Sequence, residues 1–456
     1  MRRSRRLLIA VTVLTLAGCS GRAASTADSS PSASASSASQ ADFGTLKNVC
    51  GSGTPKAVTG TGVTTADIKV GVFTDLGFTK NPEFVNAAKV FTSWCNDAGG
   101  INGRKLVPVT HDSKLFQVAQ QMLVACKSDF ALVGGGSALD SLGTKDRLKC
   151  LLPDFPAQVV QIPNVGSDLQ AYPLGPALGY APYAGYYSWL TMEKYPSSAS
   201  SVGIISGDSP AITATRAEGK ETLAALGAKI SYDDLYPAAG VSDWTPYAQK
   251  IKSKKVKGLI FNGSFSELAK LEQVLTSIGY KLDWIDANSN AYGPAFLQLA
   301  AGSLASQNNY AALPAVYPVE EAADNPATEQ VVKLYAKYAP DAQVTLPAVQ
   351  AFSAWLLFAE SARSCSELTR KCVLDSAAKQ TAWTAGGLQA PADLSSNTSP
   401  RTCFNVVQAT AKGWTVADFK PDNGAYRCNI AAYKFKASYG KPLTLADVGK
   451  TIADLK

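Results

Sequence analysis

Histidine is almost absent from this 456-residue chain: His111 is the only one. Cysteine occurs nine times but never as CxxC, so the paired His/Cys spacing of a zinc site is missing. Catalytic signatures are missing too. There is no GxSxG elbow, and His111 beside Asp112 cannot alone build a Ser-His-Asp site, so a structural or cleft-rim place is its default. Neither a P-loop nor a GxGxxG loop occurs. The paired carboxylates Asp233-Asp234 and Glu320-Glu321 fall in expected loops and are most simply solvated. These absences argue against an enzyme, a metal centre or a cofactor. Basic residues do not cluster among aromatics, which leaves nucleic-acid binding unsupported. The densest run, Lys252, Lys254, Lys255 and Lys257, reads as a solvated helix end. Long apolar runs are lacking as well: the stretch Leu7 to Ala17 has 11 residues, against about 20 for a bilayer crossing.

That short run belongs to a secretory signal peptide over residues 1–18. Arg2, Arg3, Arg5 and Arg6 precede it, and small residues follow. Leu16-Ala17-Gly18-Cys19 resembles the lipobox of bacterial lipoproteins, in which the cysteine is diacylated and begins the mature chain. An ordinary secretion signal that contains a cysteine is the alternative. Two acyl chains hold a membrane stably where one does not. A lipidated Cys19 therefore places the protein on the extracytoplasmic face of the cell membrane, lipid-anchored. Residues 19–45 are mostly Ser and Ala, bury too little to fold, and read as a tether. Without the four signal-peptide arginines the formal charge of +7 falls to +3, an ordinary value.

Roughly 400 residues remain, too many for one core, so two lobes are expected. The eight remaining cysteines read as four disulfides of an exported protein. Cys365–Cys372 and Cys403–Cys428 each close a local loop; Cys95–Cys126 would join successive helices, which leaves Cys50–Cys150. Asp67 to Thr74 is short, apolar and β-branched, as a buried parallel strand is. Asn81-Pro82-Glu83 then offers an N-cap, an N1 proline and a first-turn acid, and apolar residues from Phe84 to Ala98 recur at helical spacing. Strand 105–110, helix 116–127, strand 130–134, helix 138–147 and strand 149–152 follow. A second run places helices at 181–194, 211–226, 243–253 and 266–278 between strands at 201–205, 228–232, 258–261 and 284–285. Residues 326–363 are helix-rich, and 402–416 reads as strand with a turn at Lys412-Gly413. Such alternation means an α/β fold with parallel sheets, here in two similar lobes.

Three stretches are more specific than periodicity. Asn96-Asp97-Ala98-Gly99-Gly100-Ile101-Asn102-Gly103-Arg104-Lys105-Leu106 resembles the signature of type I periplasmic-binding proteins, the branched-chain amino-acid-binding family of ABC transporters. Lys69 to Val72 with Asp75 is similar to that family's first strand and following loop, and Ala239 to Trp244 to its entry into a second-lobe helix. The resemblance covers about residues 64–360. It implies two Rossmann-like lobes with parallel sheets joined by a three-crossing hinge, with residues 46–172 plus 316–382 in lobe I and 173–315 plus 383–456 in lobe II. It also implies a monomeric solute-binding lipoprotein that captures a small polar or amphipathic molecule between the lobes. Delivery would be to an ABC permease of branched-chain amino-acid or amide type. A ligand sensor on the same fold, signalling to a membrane receptor, is the alternative.

In open α/β sheets ligands sit beyond the carboxyl ends of the strands. In lobe I this selects Gly136, Ser137 and Ala138, where glycines admit a ligand and Ser137 can donate, and then Ala157 and Gln158. The resemblance assigns both loops to a ligand carboxylate, although Pro156-Ala157-Gln158-Val159 departs from the small and hydroxyl residues of amino-acid binders. In lobe II the strand ends give Asp208, Ser264, Phe265, Asp286, Asn288 and Tyr292. A desolvated ammonium needs a counter-charge. Asn288 matches by loop position the acidic residue of amino-acid-binding relatives, while Asp286 is the nearest carboxylate. Tyr292 and Phe265 could pack on an apolar ligand body. With Asn288 lining the cleft, a neutral or acidic ligand is favoured over an α-amino acid.

Overall fold

A computed structural model describes residues 41–57 and 60–455. The signal peptide, Cys19 and most of the tether lie outside the described residues.

The first sheet forms from β1 (Asp67–Thr74), β2 (Lys105–Asp112), β3 (Ala131–Val133) and β4 (Asp154–Phe155), in the order β2-β1-β3-β4 and parallel throughout. Between these strands run α1 (Leu76–Thr79), α2 (Glu83–Asp97), α3 (Val118–Ser128) and α4 (Ser141–Lys149). The expected cap of α2 is corrected. Pro82 holds the N-cap position, and Asn81 donates instead to the Glu83 carboxylate at 3.1 Å. β4 starts later than the expected strand 149–152 because α4 runs on to Lys149 and Leu151 turns left-handed (φ 56°).

The chain crosses into the second lobe as α5 (Ala184–Ser188), which continues as a π-helical turn to Lys194. There follow β5 (Val202–Asp208), α6 (Thr213–Ala225), β6 (Ile230–Pro237), α7 (Thr245–Ser253), β7 (Gly258–Asn262), α8 (Phe265–Ser277), β8 (Trp284–Asp286), α9 (Pro294–Leu299) and β9 (Asn309–Leu313). Asp233 and Asp234, expected in a loop, lie within β6, where Asp233 pairs with Arg216 and Lys220. The chain then returns as α10 (Pro326–Tyr338), α11 (Leu346–Ser364) and α12 (Arg370–Ala377), and re-enters the second lobe as the hairpin β10 (Asn405–Thr410) and β11 (Gly413–Val416). The second sheet has the order β11-β10-β9-β8-β7-β5-β6. β10 is antiparallel to both neighbours, so this sheet is parallel only from β9 to β6.

α11 is buried almost all round, as a helix at the centre of a core must be. Trp355 stacks on Phe91 of α2, and Phe358 meets Phe155 of β4 edge-on. Residues 383–392, expected in lobe II, lie instead with the first lobe. Trp383 donates to Ser353 of α11, and Gly386 accepts from Thr45.

All eight remaining cysteines are bonded. Cys365–Cys372 and Cys403–Cys428 pair as expected. The other two expectations are corrected: Cys50 joins Cys95 and Cys126 joins Cys150. The amide of Gly51 bonds to Gly100 just past the end of α2, which brings Cys50 to that helix, and α3 packs along α4. Neither closeness is visible in the spacing.

Candidate functional site

A cavity of about 760 Å³ lies where the chain passes between the lobes. Its walls come from the first crossing (Gln158 to Tyr183), the start of α11 at Leu346, α6 at Glu218, the end of β9 and the third crossing at Arg401. Residues Lys434 to Pro442 complete it. Those residues open a C-terminal strap. Tyr433 and Tyr439 hydroxyls and the amides of Lys436 and Ala437 all donate to the Glu221 carboxylate of α6, which holds that carboxyl down at about 2. Farther on, Leu443 donates to Pro163, Leu445 donates to Asp168, and Leu445 and Leu455 pack on Leu148 of α4. The strap thus bridges the lobes a fourth time.

The cavity is mostly apolar and aromatic, with Val159, Ile162, Leu174, Tyr172, Tyr183 and Phe435 among its walls. Its charged groups are few. Arg401 gives its guanidinium to the carbonyls of Tyr172, Pro173, Gly175 and Asp393. Burial, and then Glu221 nearby, raise the Glu218 carboxyl to about 6. Burial pushes the Tyr183 phenol up to about 12, so it donates at neutral pH. Such a site can enclose a large apolar body and meet it with a few hydroxyl contacts.

Two carboxylates stand at strand ends nearby. Asp75, just past β1, accepts from the hydroxyls of Ser113 and Ser137, the amide of Ala138 at 2.7 Å and the amide of Leu115 at 3.1 Å. Asp286, at the end of β8, accepts from the Tyr187 hydroxyl at 3.0 Å, the Tyr186 hydroxyl at 3.4 Å and the Asn288 amide at 3.0 Å. Burial raises the Asp286 carboxyl to about 6.

The two lobes with largely parallel sheets match known proteins in fold. A family model described as "Periplasmic binding protein" matches residues 67–414. The chain belongs to the periplasmic binding protein family. It has the type I fold of that family, whose members bind solutes. Among solved structures it is similar to a fatty acid ABC transporter substrate-binding protein from Thermomonospora curvata, at 17% identity and a TM-score of 0.67, over 83% of this chain and 95% of that one. It is similar to the leucine-binding protein LivK of Thermotoga maritima, with 12% identity, TM-score 0.60 and coverage of 77% and 97%. A third, LivJ of Streptococcus pneumoniae in complex with isoleucine, shows 16% identity, TM-score 0.59 and coverage of 77% and 99%. No curated protein matches by sequence. The family match ends before the strap begins.

Within this family member, the expected contact residues separate. Only Gln158 lines the large cavity. Gly136 and Ser137 border a small hollow of about 30 Å³ beside it. Ala138 gives its amide to Asp75, and Ala157 is buried with its amide on Gly135. The glycines serve the chain's own packing. Gly134 has φ +66° and a Cβ there would stand 2.3 Å from the Trp355 indole nitrogen, while Gln158 and Phe84 crowd Gly136. Asp208 ends β5 exposed, Ser264 caps α8, and Phe265 packs on the core. Neither Asp286 nor Asn288 is on the cavity wall. Asn288 caps a short 3-10 turn, and the next residues, Ser289 and Asn290, reach the cavity. Tyr292 is tied to Glu320, Val319 and Trp414. His111 is buried against Asp129 at 2.6 Å, a structural place.

The reading of strand ends missed Tyr183, Tyr186, Arg401 and the strap. The dense tyrosines from Tyr172 to Tyr187, which run into the expected helix 181–194, are the available signal. The signature residues themselves prove structural: Asn102 donates to the Arg363 carbonyl, Arg104 to those of Thr64 and Lys56, and Trp244 to Glu267. Among the described residues no three His, Cys, Asp or Glu side chains are placed to hold a metal ion, and no helix is long and apolar enough to cross a membrane.

Proposed function

We propose that this protein is a lipoprotein, anchored through Cys19 on the extracytoplasmic face of the membrane, that captures an amphipathic molecule with a large apolar body and delivers it to an ABC permease. The cavity of about 760 Å³ carries this reading. It lies high in the range of about 300–1,000 Å³ that encloses drug-sized ligands, and its wall is chiefly aliphatic and aromatic. The similarity to the Thermomonospora curvata fatty acid transporter protein supports the apolar body. An isoleucine-sized ligand, as in the Streptococcus pneumoniae complex, would leave most of that space to water.

The test is a thermal-shift series on the exported chain carrying Cys19→Ser, using octanoate, dodecanoate, hexadecanoate and the twenty amino acids. A ligand at 100 times its Kd adds about 2.7 kcal/mol to stability, so Tm should rise along the chain-length series. A rise with leucine or isoleucine alone overturns the apolar-body reading. Loss of membrane association in the same Cys19→Ser protein checks the anchor. Deleting the gene should abolish uptake of the ligand; unchanged uptake with a lost cellular response would favour the sensor.

A further inference from the structure

Of the four charged side chains on the wall of the large cavity, three are engaged by the protein itself. Arg401 gives its guanidinium to four carbonyls. Asp393 accepts from the Ser395 amide and hydroxyl. Lys434 is exposed, with its ammonium 5.9 Å from the centre of the Tyr180 ring. The fourth is Glu218 of α6. Among the described residues no group donates to its carboxylate and no cation pairs with it. The two basic residues of that helix, Arg216 and Lys220, both pair with Asp233 of β6. The cavity's cations are thus occupied or at its rim, and its half-buried anion is left bare.

The surroundings of that anion are aromatic. Tyr183, at the cap of α5, and Tyr439 of the strap stand near enough for the Glu218 charge to act on both phenols. Both rings lie on the cavity wall, as do Tyr172, Tyr180, Tyr186 and Phe435. Behind Tyr186, Asp286 adds a second acid on the same side. A carboxylate drawn partly out of water without a partner carries a cost that a ligand can relieve. An ammonium relieves it twice, by pairing with the carboxylate and by lying against the electron-rich faces of tyrosine rings. A carboxylate head at the same place meets like charge.

We propose that Glu218 receives the head group in this cavity, and that the amphipathic molecule it takes carries an ammonium, primary or quaternary, at the end of its apolar body. The inference rests on the proposed capture of such a molecule and names its head. It also moves the counter-charge away from the loop to which the resemblance to amino-acid binders points. Glu218 is on the helix after β5 and on the cavity wall, whereas Asp286 and Asn288 are off that wall.

The experiment is a head-group series at one chain length, on the exported chain carrying Cys19→Ser. Decylammonium, decyltrimethylammonium, decanol and decanoate, each below its micellar concentration, are titrated calorimetrically at pH 7 into this protein and into its Glu218→Gln variant. Both ammonium compounds should bind about tenfold more tightly than decanoate, with decanol between. Glu218→Gln should erase that ranking and leave decanol unchanged. A merely structural role would weaken all four heads alike, so a ranking that survives in Glu218→Gln overturns the assignment. Decanoate binding at least as tightly as decylammonium also overturns it, and leaves the apolar body standing. Failure of all four to bind removes the proposed ligand class and the head with it. A second readout needs no change at Glu218. Ammonium affinity should fall several-fold from pH 7 to pH 5 as the Glu218 carboxyl, at about 6, takes up its proton, while decanol should not respond. Glu221, at about 2, and Tyr183, at about 12, keep their states over that range. Asp286 titrates within it, so the profile is repeated in Asp286→Asn, where a flat response overturns the assignment.

Discussion

Asp75 and Asp286 each stand at a strand end, Asp75 past the first strand of the first sheet and Asp286 at the end of β8 in the second, and both are buried. Their surroundings differ. Asp75 is met by two backbone amides beyond its own loop, from Leu115 and Ala138, besides two serine hydroxyls. Asp286 has one amide, from its own loop, and two phenols that also need room to turn. Burial dominates at Asp286 and lifts its carboxyl to about 6. Equal depth therefore does not give equal cost. Donors fixed by the main chain of neighbouring loops are already oriented before the carboxylate arrives, whereas a tyrosine hydroxyl must be held by the packing of its ring. The first lobe surrounds its carboxylate with a nest of donors from two neighbouring loops. The second keeps a carboxyl close to titration, linked to the cavity through Tyr186, which lies on its wall.

The comparison breaks first at Asp75. Asp75→Ala leaves four donors without an acceptor, and each unpaired buried donor costs about 1–3 kcal/mol before water or local movement relieves it. A net loss of about 3 kcal/mol is expected, read from the urea midpoint at constant slope. A loss below about 1 kcal/mol would mean that water replaces the carboxylate freely, and the nest would then be no more committed than the pair of phenols around Asp286.

Much of this fold is written in local patterns. Strand β1, helix α2 and the second-lobe alternation are legible because apolar residues recur at periods set by a strand or helix packed on one core. The two short disulfides are legible because a local loop brings their cysteines together. Cys50–Cys95 and Cys126–Cys150 depend on which elements lie side by side, which spacing does not record. The same limit hid the nest. Ser137 is readable as a hydroxyl at a strand end, yet its partner is 62 residues away and becomes its neighbour only because β3 pairs with β1. The third crossing and the strap have no hydrophobic period at all. Arg401 and Tyr439 are placed by hydrogen bonds to carbonyls and to Glu221, which no motif announces.

The second way to sharpen the contrast is titration. The folded Asp286 carboxyl, at about 6, lies above the ordinary value near 4 for an unfolded chain. Folding therefore takes up a proton between those values. Asp286 favours the folded state below about pH 4, and this support is lost as pH rises to about 6. Asp286→Asn cannot ionise, so it should flatten that part of the stability profile and gain on the order of 2 kcal/mol relative to wild type at pH 7. Glu218 and Asp140 are raised to about 6, and Glu272 to about 7, chiefly by burial. The measurement is thus the difference between variant and wild-type melting curves from pH 4 to 8. Parallel curves would show that the two phenols and the Asn288 amide fully offset the burial of Asp286.

The smallest expected effect concerns Glu221, a carboxylate with as many donors as Asp75 but at the surface. Exposed donors that lose an acceptor turn to water, so Glu221→Ala should leave Tm almost unchanged. Its consequence is local. Lys436 and Ala437 lose the acceptor that holds the strap on α6, while Leu445 and Leu455 keep its far end on the first lobe. Hydrogen exchange should quicken several-fold at residues 433–440 and stay slow in β5 and β7. Because Phe435 and Tyr439 form part of the cavity wall, ligand release should quicken in the same variant. Unchanged exchange at Lys436 and Ala437 would place the strap's hold in its leucine contacts and in the backbone bonds of Tyr433 and Phe435 to Ala181 and Gly179, and the four donors on Glu221 would then count for little beside the same number on Asp75.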